Sequence, residues 1–315
     1  MTVDAHHEPA VVAEDAEEKT ATKSAEKEGF RRFVADFCES KVAIFGFFMC
    51  IIIMLAAVFA PFITPQNPYD LASLDIMDSR LEPGEVGMSG MVHILGTDAQ
   101  GRDLYSAIIY GLRISLGVGV TAGLIAFLLG TTVGLTAAYF GGVVDTLISR
   151  VIEFQLSFPA ILLALIMLAV LGQGVDKIVI ALVAVQWAYF ARTVRSSALV
   201  ERRREYIDAV RCLGLSHPRI MFGHLMPNCI SPLIVVATVQ VASAIALEAT
   251  LSFLGLGMPV TQPSLGLLIA NGFEYILSGR YWMSVFPGIA LLITIVSINL
   301  VGDRIRDVLN PRLQR

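Results

Sequence analysis

No Gly-Lys pair occurs anywhere in this sequence, so there is no GxxxxGKS/T loop to cradle nucleotide phosphates. The five histidines are scattered without an HExxH pair, and no GxSxG turn presents a nucleophilic serine. Four cysteines, Cys38, Cys50, Cys212 and Cys229, show no metal-ligand spacing. The topology derived below puts none of them on the outer side, so a disulfide framework is not expected and all four read as inert. Charge is scarce: 16% of the residues are Asp, Glu, Lys or Arg, where soluble domains carry about 25%. The N-terminal tail is not expected to be a secretory signal either, because the first residues are acidic and no apolar stretch follows at once.

Hydrophobic residues fill the space that charge leaves. They make up 55% of the 315 residues, with a mean hydropathy of +0.70. They fall in long runs, which places the chain among integral membrane proteins. A crossing helix needs about 20 mostly apolar residues. Six segments qualify, at 42–62, 114–138, 150–171, 178–198, 232–254 and 285–302. Pro61 and Pro65 close the first, "YFGG" (139–142) the second and "GQG" (172–174) the third, while Gln186, Trp187 and Arg192 dilute the fourth.

Lys/Arg bias orients these spans. Arg31, Arg32 and Lys41 precede the first, seven arginines between Arg192 and Arg219 lie between the fourth and fifth, and Arg304, Arg306, Arg312 and Arg315 follow the sixth. These regions share a side only if an even number of spans separates them, which six spans satisfy. Both termini and the 4–5 connection are therefore expected in the cytoplasm. Residues 63–104, with seven acids against two arginines, form an external segment long enough for a small structured element. Within the second span, Gly119-xxx-Gly123 and Gly130-xxx-Gly134 allow close helix approach in lipid, or mark a flexible, kinked span.

The net charge of −4 comes from one end. Residues 1–29 hold eight acids against three lysines, and the rest is close to neutral. This Ala/Glu/Lys-rich stretch buries too little to offset ordering entropy and reads as a disordered, solvated tail. Inside the spans the clear charge is Glu248, with Glu153 near the end of the third. Counted from Pro232, Glu248 lies ~24 Å along its span. An acid near the bilayer centre costs roughly 2.5–3.5 kcal/mol on insertion scales, so it should face the bundle interior or a wet cavity. Gln240, Ser243 and Glu248 share one broad face, which serves either structural polar packing or the lining of a translocation path.

Between the fourth and fifth spans sits the half-polar stretch "EYIDAVRCLGLSHPRIMFGHLMPN" (205–228). Tyr206, Ala209, Val210 and Leu213 follow helical spacing, while Glu205, Asp208 and Arg211 take another face. Gly214 suits a helix stop, Ser216 an N-cap and Pro218 the first turn of a second helix, which is chiefly apolar through Ile220, Met221, Phe222 and Leu225; Pro227 is expected to end it. A helix–turn–helix beside the membrane could lie on headgroups or its own bundle, or enter a groove on a cytoplasmic partner.

"DAVRCLG" followed by "HLMPN" resembles the EAA loop of binding-protein-dependent ABC importer permeases, whose pattern is E-A-A-x3-G-x9-I-x-L-P. Asp208, Ala209, Gly214 and Pro227 fall in register. Asp208, Val210 and Met226 depart from the pattern with charge sign or size kept, and His224 replaces Ile. "HILGTDAQGRDLYSAIIYGLRISL" (93–116), "EATLSFLGLGMPVTQPSLGLLIANG" (248–272) and "NLVGDRIRDVLNPR" (299–312) are similar to the C-type permease subunit of dipeptide, oligopeptide and nickel importers. The likeness covers about 30–315. In "GTDAQGRD" the residues alone suit turns and caps before the second span. Contact of Asp98, Arg102 and Asp103 with an external partner is the other reading. Asp303, Arg304, Arg306 and Asp307 would anchor the last span at the surface.

The resemblance implies an all-α membrane protein of six transmembrane helices, a type I (MetI-like) importer permease core with an extra N-terminal span. It divides the chain into a tail (1–29), an N-terminal region with the first span and external segment (30–112), a five-helix core (113–303) holding the coupling helices at 205–227, and a C-terminal tail (304–315). It implies docking of two ATPase subunits on Glu205, Tyr206, Asp208, Ala209, Arg211, Gly214 and Pro227, with ATP and Mg held by those partners and no cofactor or metal on this chain. Further implied partners are a second homologous permease, an external solute-binding protein and the bilayer of a bacterial inner membrane, with no nucleic acid. An ion-coupled secondary carrier, dependent on Glu248, is the alternative, and a membrane scaffold without cargo a third reading.

Overall fold

The computed structural model describes residues 31–70 and 74–309, and those residues are helical apart from their connections. The acidic tail and the last six residues lie outside the described residues. A short helix α1 (31–38) precedes α2 (Lys41–Val58), whose N-terminus is capped by Ser40 Oγ accepting from the Ala43 N–H at 3.3 Å. One further turn, Ala60–Ile63, admits Pro61 at a position where its missing N–H costs no bond. α3 (Leu104–Phe140) is 37 residues long, about 55 Å, and ends at Gly141. It starts ten residues before the expected second span. It also runs unbroken through 112–113, with no proline between its Asp103 cap and Gly141.

The expected third span is a broken one. α4 (Gly142–Leu156) and α5 (Ala160–Leu171) meet at 90°. Pro159 disfavours helical geometry at Phe158, and the Ser157 hydroxyl folds back to the Glu153 carbonyl at 2.7 Å. α6 (Val175–Glu201) follows, then α7 (Glu205–Cys212), α8 (His217–Ile220), α9 (Ile230–Phe253), α10 (Leu265–Phe273) and α11 (Trp282–Leu309). α2, α3, α6, α9 and α11 are each long and apolar enough to cross a membrane, and the bent α4–α5 pair makes a sixth crossing if counted as one.

α3 and α6 form the central pair. A Cβ at Gly130 would sit 2.3 Å from the Trp187 carbonyl oxygen and one at Gly134 2.2 Å from that of Ala191, so the glycines set the spacing of the two backbones. The close-packing reading of these motifs is the one the fold uses. α9 lies along α3 with Ile245 and Val241 over Gly119 and Gly123, and α2 stands outside, packed on α11 where Gly46 meets Leu300. Phe45, Phe48, Val143, Leu147 and Val170 leave the outer faces of α2, α4 and α5 apolar and exposed, as a hydrocarbon surrounding requires. Arg304 ties the last turns of α11 to α1 by donating to the Asp36 carbonyl.

Candidate functional site

Three places collect the residues singled out above, and α3 sets their positions. At the end of α3 nearest Phe140, the chain from α6 turns through an elbow of α7, Gly214 and α8. Its anchor is Ile207, fully buried with Ile220, Met221, Leu225 and Cys229 against Leu135, Ala138 and Tyr139 of α3 and Val194 and Ala198 of α6. Burying each large aliphatic side chain contributes about 1.5–3 kcal/mol, which holds two short helices that would not persist alone. Ile207 falls between Tyr206 and Asp208 and off the expected stripe. Tyr206 and Val210 pack inward beside it, while Ala209 and Leu213 of that stripe are exposed.

Polar contacts latch the elbow to α3. The Tyr139 hydroxyl and His217 Nδ1 are 2.7 Å apart, and the Arg211 guanidinium lies over the Tyr139 ring at 5.4 Å. Tyr206 donates to Glu201 at 3.1 Å and accepts from the Asn228 amide at 2.9 Å. Tyr206 and Arg211 are thus engaged within the chain, whereas Glu205, Asp208, Ala209, Gly214 and Pro227 are all exposed. Gly214 has φ +71°, with open space where a Cβ would be, so the turn needs glycine for its backbone and not for room. Two local expectations are corrected. Ser216 stands at the N-cap of α8, but its side chain makes no capping bond. Pro227 does not end the second helix: a π turn at Met221–Leu225, with the Met226 N–H reaching the Met221 carbonyl, absorbs its missing donor, and helical residues continue to Asn228. Burial pushes the Cys229 thiol up to about 11, which keeps it protonated and inert.

The second place is a cleft of about 1360 Å³ between the start of α5, α6, α9 and the end of α11. Gln240 and Ser243 line it together with Gln186, Tyr189, Thr193 and Thr250. Glu248 does not. It is fully buried on the side facing α3, where its two oxygens accept from the hydroxyls of Ser115 and Ser252, each at 2.8 Å. The expected common face of Gln240, Ser243 and Glu248 is therefore split: two residues open on the cleft, and the acid is a structural bridge without access to it. Gln186, noted in the sequence only as diluting a span, was the missed member; a polar amide within an apolar run was its signal.

The third place is the segment at 63–104, expected above to be external, at the opposite end of α3. Asp98, Arg102 and Asp103 are 3%, 1% and 1% exposed, so they are not placed to meet an external partner, and that expectation is corrected. They build the segment itself. Asp103 caps α3 through the Ser106 N–H at 2.8 Å and pairs with His93 Nδ1 at 3.1 Å. Asp98 accepts from the Gln100 and Arg102 N–H groups at 2.8 and 2.9 Å, and Arg102 donates to the Val260 carbonyl at 2.7 Å, tying the segment to the α9–α10 connection. Burial pushes the Asp98 carboxyl up while Arg102 and those N–H groups pull it back. Thr97 donates to the Asp78 carbonyl at 2.5 Å and accepts from the Leu81 N–H at 2.7 Å, the turn role its residue type predicts. Among the described residues no group of His, Cys, Asp and Glu could hold a metal ion.

Comparison with known proteins defines the class. The family model described as the binding-protein-dependent transport system inner membrane component matches residues 130–315, and that of the N-terminal transmembrane domain of oligopeptide transport permease C matches 30–83. A Brucella suis protein whose name is that of a peptide transport system permease is 42% identical over 85% of this chain and 87% of its own length. The dipeptide transport system permease protein DppC of Alkalihalophilus pseudofirmus is 37% identical over 88% of both chains. The di/tripeptide transport system permease protein DppC of Pseudomonas aeruginosa is 36% identical over 90% of this chain and 92% of its own. Among solved structures, an inward-facing MetNI methionine ABC transporter shares the fold with a TM-score of 0.53 at 20% identity, over 66% of this chain and 98% of that one. The chain belongs to the family of binding-protein-dependent transport system inner membrane components. It is a C-type ABC importer permease: a MetI-like core of membrane helices preceded by an extra N-terminal span, which is α2 here.

Proposed function

We propose that this permease moves di- and oligopeptides, or a related small solute, into the cytoplasm, driven by separate ATPase subunits that grip the elbow. The observation that supports docking at the elbow is the placement of Asp208, Ala209, Gly214 and Pro227: all four positions in register with the EAA pattern are exposed, on an elbow that Tyr139, His217 and Ile207 fasten to α3. Peptide cargo is supported by the names of the relatives. In this reading both termini and the elbow face the cytoplasm, in accord with the arginine bias. A second homologous permease completes the path, two ATPases hold ATP and Mg below, and a solute-binding protein delivers cargo above. This chain catalyses nothing.

The mechanism is alternating access. ATP closes the ATPase pair and draws the docked elbows together. Because each elbow is packed on α3 and α6, the central helices turn with it and the path opens outward; hydrolysis resets it. The nucleotide need only favour one of two packings by a few kcal/mol, and the elbow transmits that bias. An ion-driven carrier reading finds little support in Glu248, whose carboxylate is enclosed by two serine hydroxyls away from the cleft. The test is Gly214→Val. A β-branched residue at φ +71° strains the turn without touching the spans, so the protein should insert normally while substrate-stimulated ATP hydrolysis and uptake fall at least about tenfold. Uptake at the unaltered rate in vesicles would refute the assignment.

A further inference from the structure

Two guanidinium groups stand at one end of the cleft with nothing to neutralise them. Arg192 on α6 and Arg306 on α11 both line it, and both are exposed. Each of these helices carries one other arginine, and that one is engaged: Arg195 pairs with Asp145, and Arg304 donates to the Asp36 carbonyl. Arg192 and Arg306 form no ion pair or hydrogen bond with another described residue. The cleft runs about 28 Å along α9, from Thr250 to Ser231, and the arginines sit at the Ser231 end. Arg192 lies about 26 Å along α6, towards the elbow. The last turns of α11 adjoin the first turns of α9, where a Cβ at Gly302 would sit 2.7 Å from the Thr238 hydroxyl. No Asp or Glu among the described residues lines the cleft, and much of its wall is aliphatic, as at Val185, Val236, Val239 and Leu247. A charge that faces a cavity from within an apolar span, as Arg192 does, marks a ligand's route.

From this placement we infer that Arg192 and Arg306 hold the terminal carboxylate of a peptide in transit at the elbow end of the cleft. A guanidinium presents parallel N–H donors that match the two oxygens of a carboxylate. A free peptide ends in that group whatever its side chains, so a carboxylate site serves cargo of many sequences. The aliphatic wall admits side chains of many shapes. At about 1360 Å³ the cleft is larger than the roughly 300–1,000 Å³ of pockets that enclose drug-sized ligands. The inference rests on the importer reading and adds to it what the passage recognises.

The experiment uses the transporter assembled with its own partner subunits in phosphatidylcholine vesicles. It compares ATP-driven uptake of trialanine with that of trialanine amide, whose terminal carboxylate is replaced by an uncharged carboxamide. Each is supplied at a concentration that saturates the binding protein. The unaltered transporter should take up the acid about tenfold faster, the effect of charge-assisted hydrogen bonds lost. The binding protein contributes equally to that ratio in every variant, so a change in the ratio belongs to the permease. Arg192→Gln and Arg306→Gln should each lower it about fivefold by slowing the acid far more than the amide. Arg192→Lys keeps a cation and should keep most of the ratio. Equal uptake of acid and amide by the unaltered transporter overturns the inference, whether or not the variants assemble. An unchanged ratio in the glutamine variants overturns it as well. So does equal slowing of acid and amide; if that slowing appears only with phosphatidylglycerol in the vesicles, the arginines serve lipid phosphate instead. No ATP-dependent uptake of either substrate would sink the importer reading on which the inference stands.

Discussion

Glu248 brings a carboxylate into the bundle and gives each oxygen a hydroxyl partner, one from α3 and one from its own helix. The acid therefore fastens α9 to α3 at a depth where an unpaired charge would be costly. Removing it strands two buried hydroxyls and leaves a void, whereas glutamine keeps the shape and one acceptor oxygen. Glu248→Ala should lower the unfolding temperature in detergent by roughly 5 °C or more, and Glu248→Gln by no more than about 2 °C. Thermal unfolding of the purified complex checks this, and equal losses from both substitutions would show that the charge itself is required. The sequence marked Glu248 as unusual but not its direction. One broad helical face spans enough angle that Gln240 and Ser243 open on a cleft while Glu248, a little over one turn beyond Ser243, meets Ser115.

Among the elements, the α3–α6 pair shows what small residues accomplish. Gly134 abuts the Ala191 carbonyl, while Gly117 on the same helix has nothing within 4 Å of a Cβ position. Gly134→Leu should force the helices apart and destabilise by about 1–3 kcal/mol or more, seen as a lower unfolding temperature and poor assembly. Gly117→Leu should be close to neutral, and a comparable loss there would mean that composition, not contact, is responsible. The four-residue spacing of those glycines made this packing legible in advance. The 90° break in the third span was not, because hydropathy records composition and not direction; only Phe158-Pro159 hinted at it. At the elbow, Gly214 and Pro218 revealed the helix–turn–helix. An eight-residue helix is too short for its sequence to show which stripe turns inward; here Ile207 packs in and Leu213, on the expected apolar stripe, lies exposed.

For the molecule as a whole, the membrane class, the six-span plan and the family motifs were readable because long apolar runs and ordered motifs survive translation into structure directly. The inward turn of Asp98, Arg102 and Asp103 was not, since capping and partner contact draw on the same residue types. Assembly supplies the prediction at this scale. Asp208 is exposed at the elbow and paired only loosely with Arg211 at 3.4 Å. Asp208→Lys should weaken capture of the ATPase subunit about tenfold, read as ATPase recovered per permease at fixed salt. An undiminished yield would place the motor's grip elsewhere.

One further consequence comes from the length of α3. Latched to the elbow at Tyr139 and capped by Asp103 in the external segment, it spans about 55 Å without a proline, nearly twice the hydrocarbon thickness. Such a rod behaves as an axle through the membrane: tilted ten degrees about its midpoint, it swings each tip by roughly 5 Å in opposite directions. A pull on the Tyr139 tip thereby signals to the Asp103 tip by plain leverage, with no relay of side chains in between.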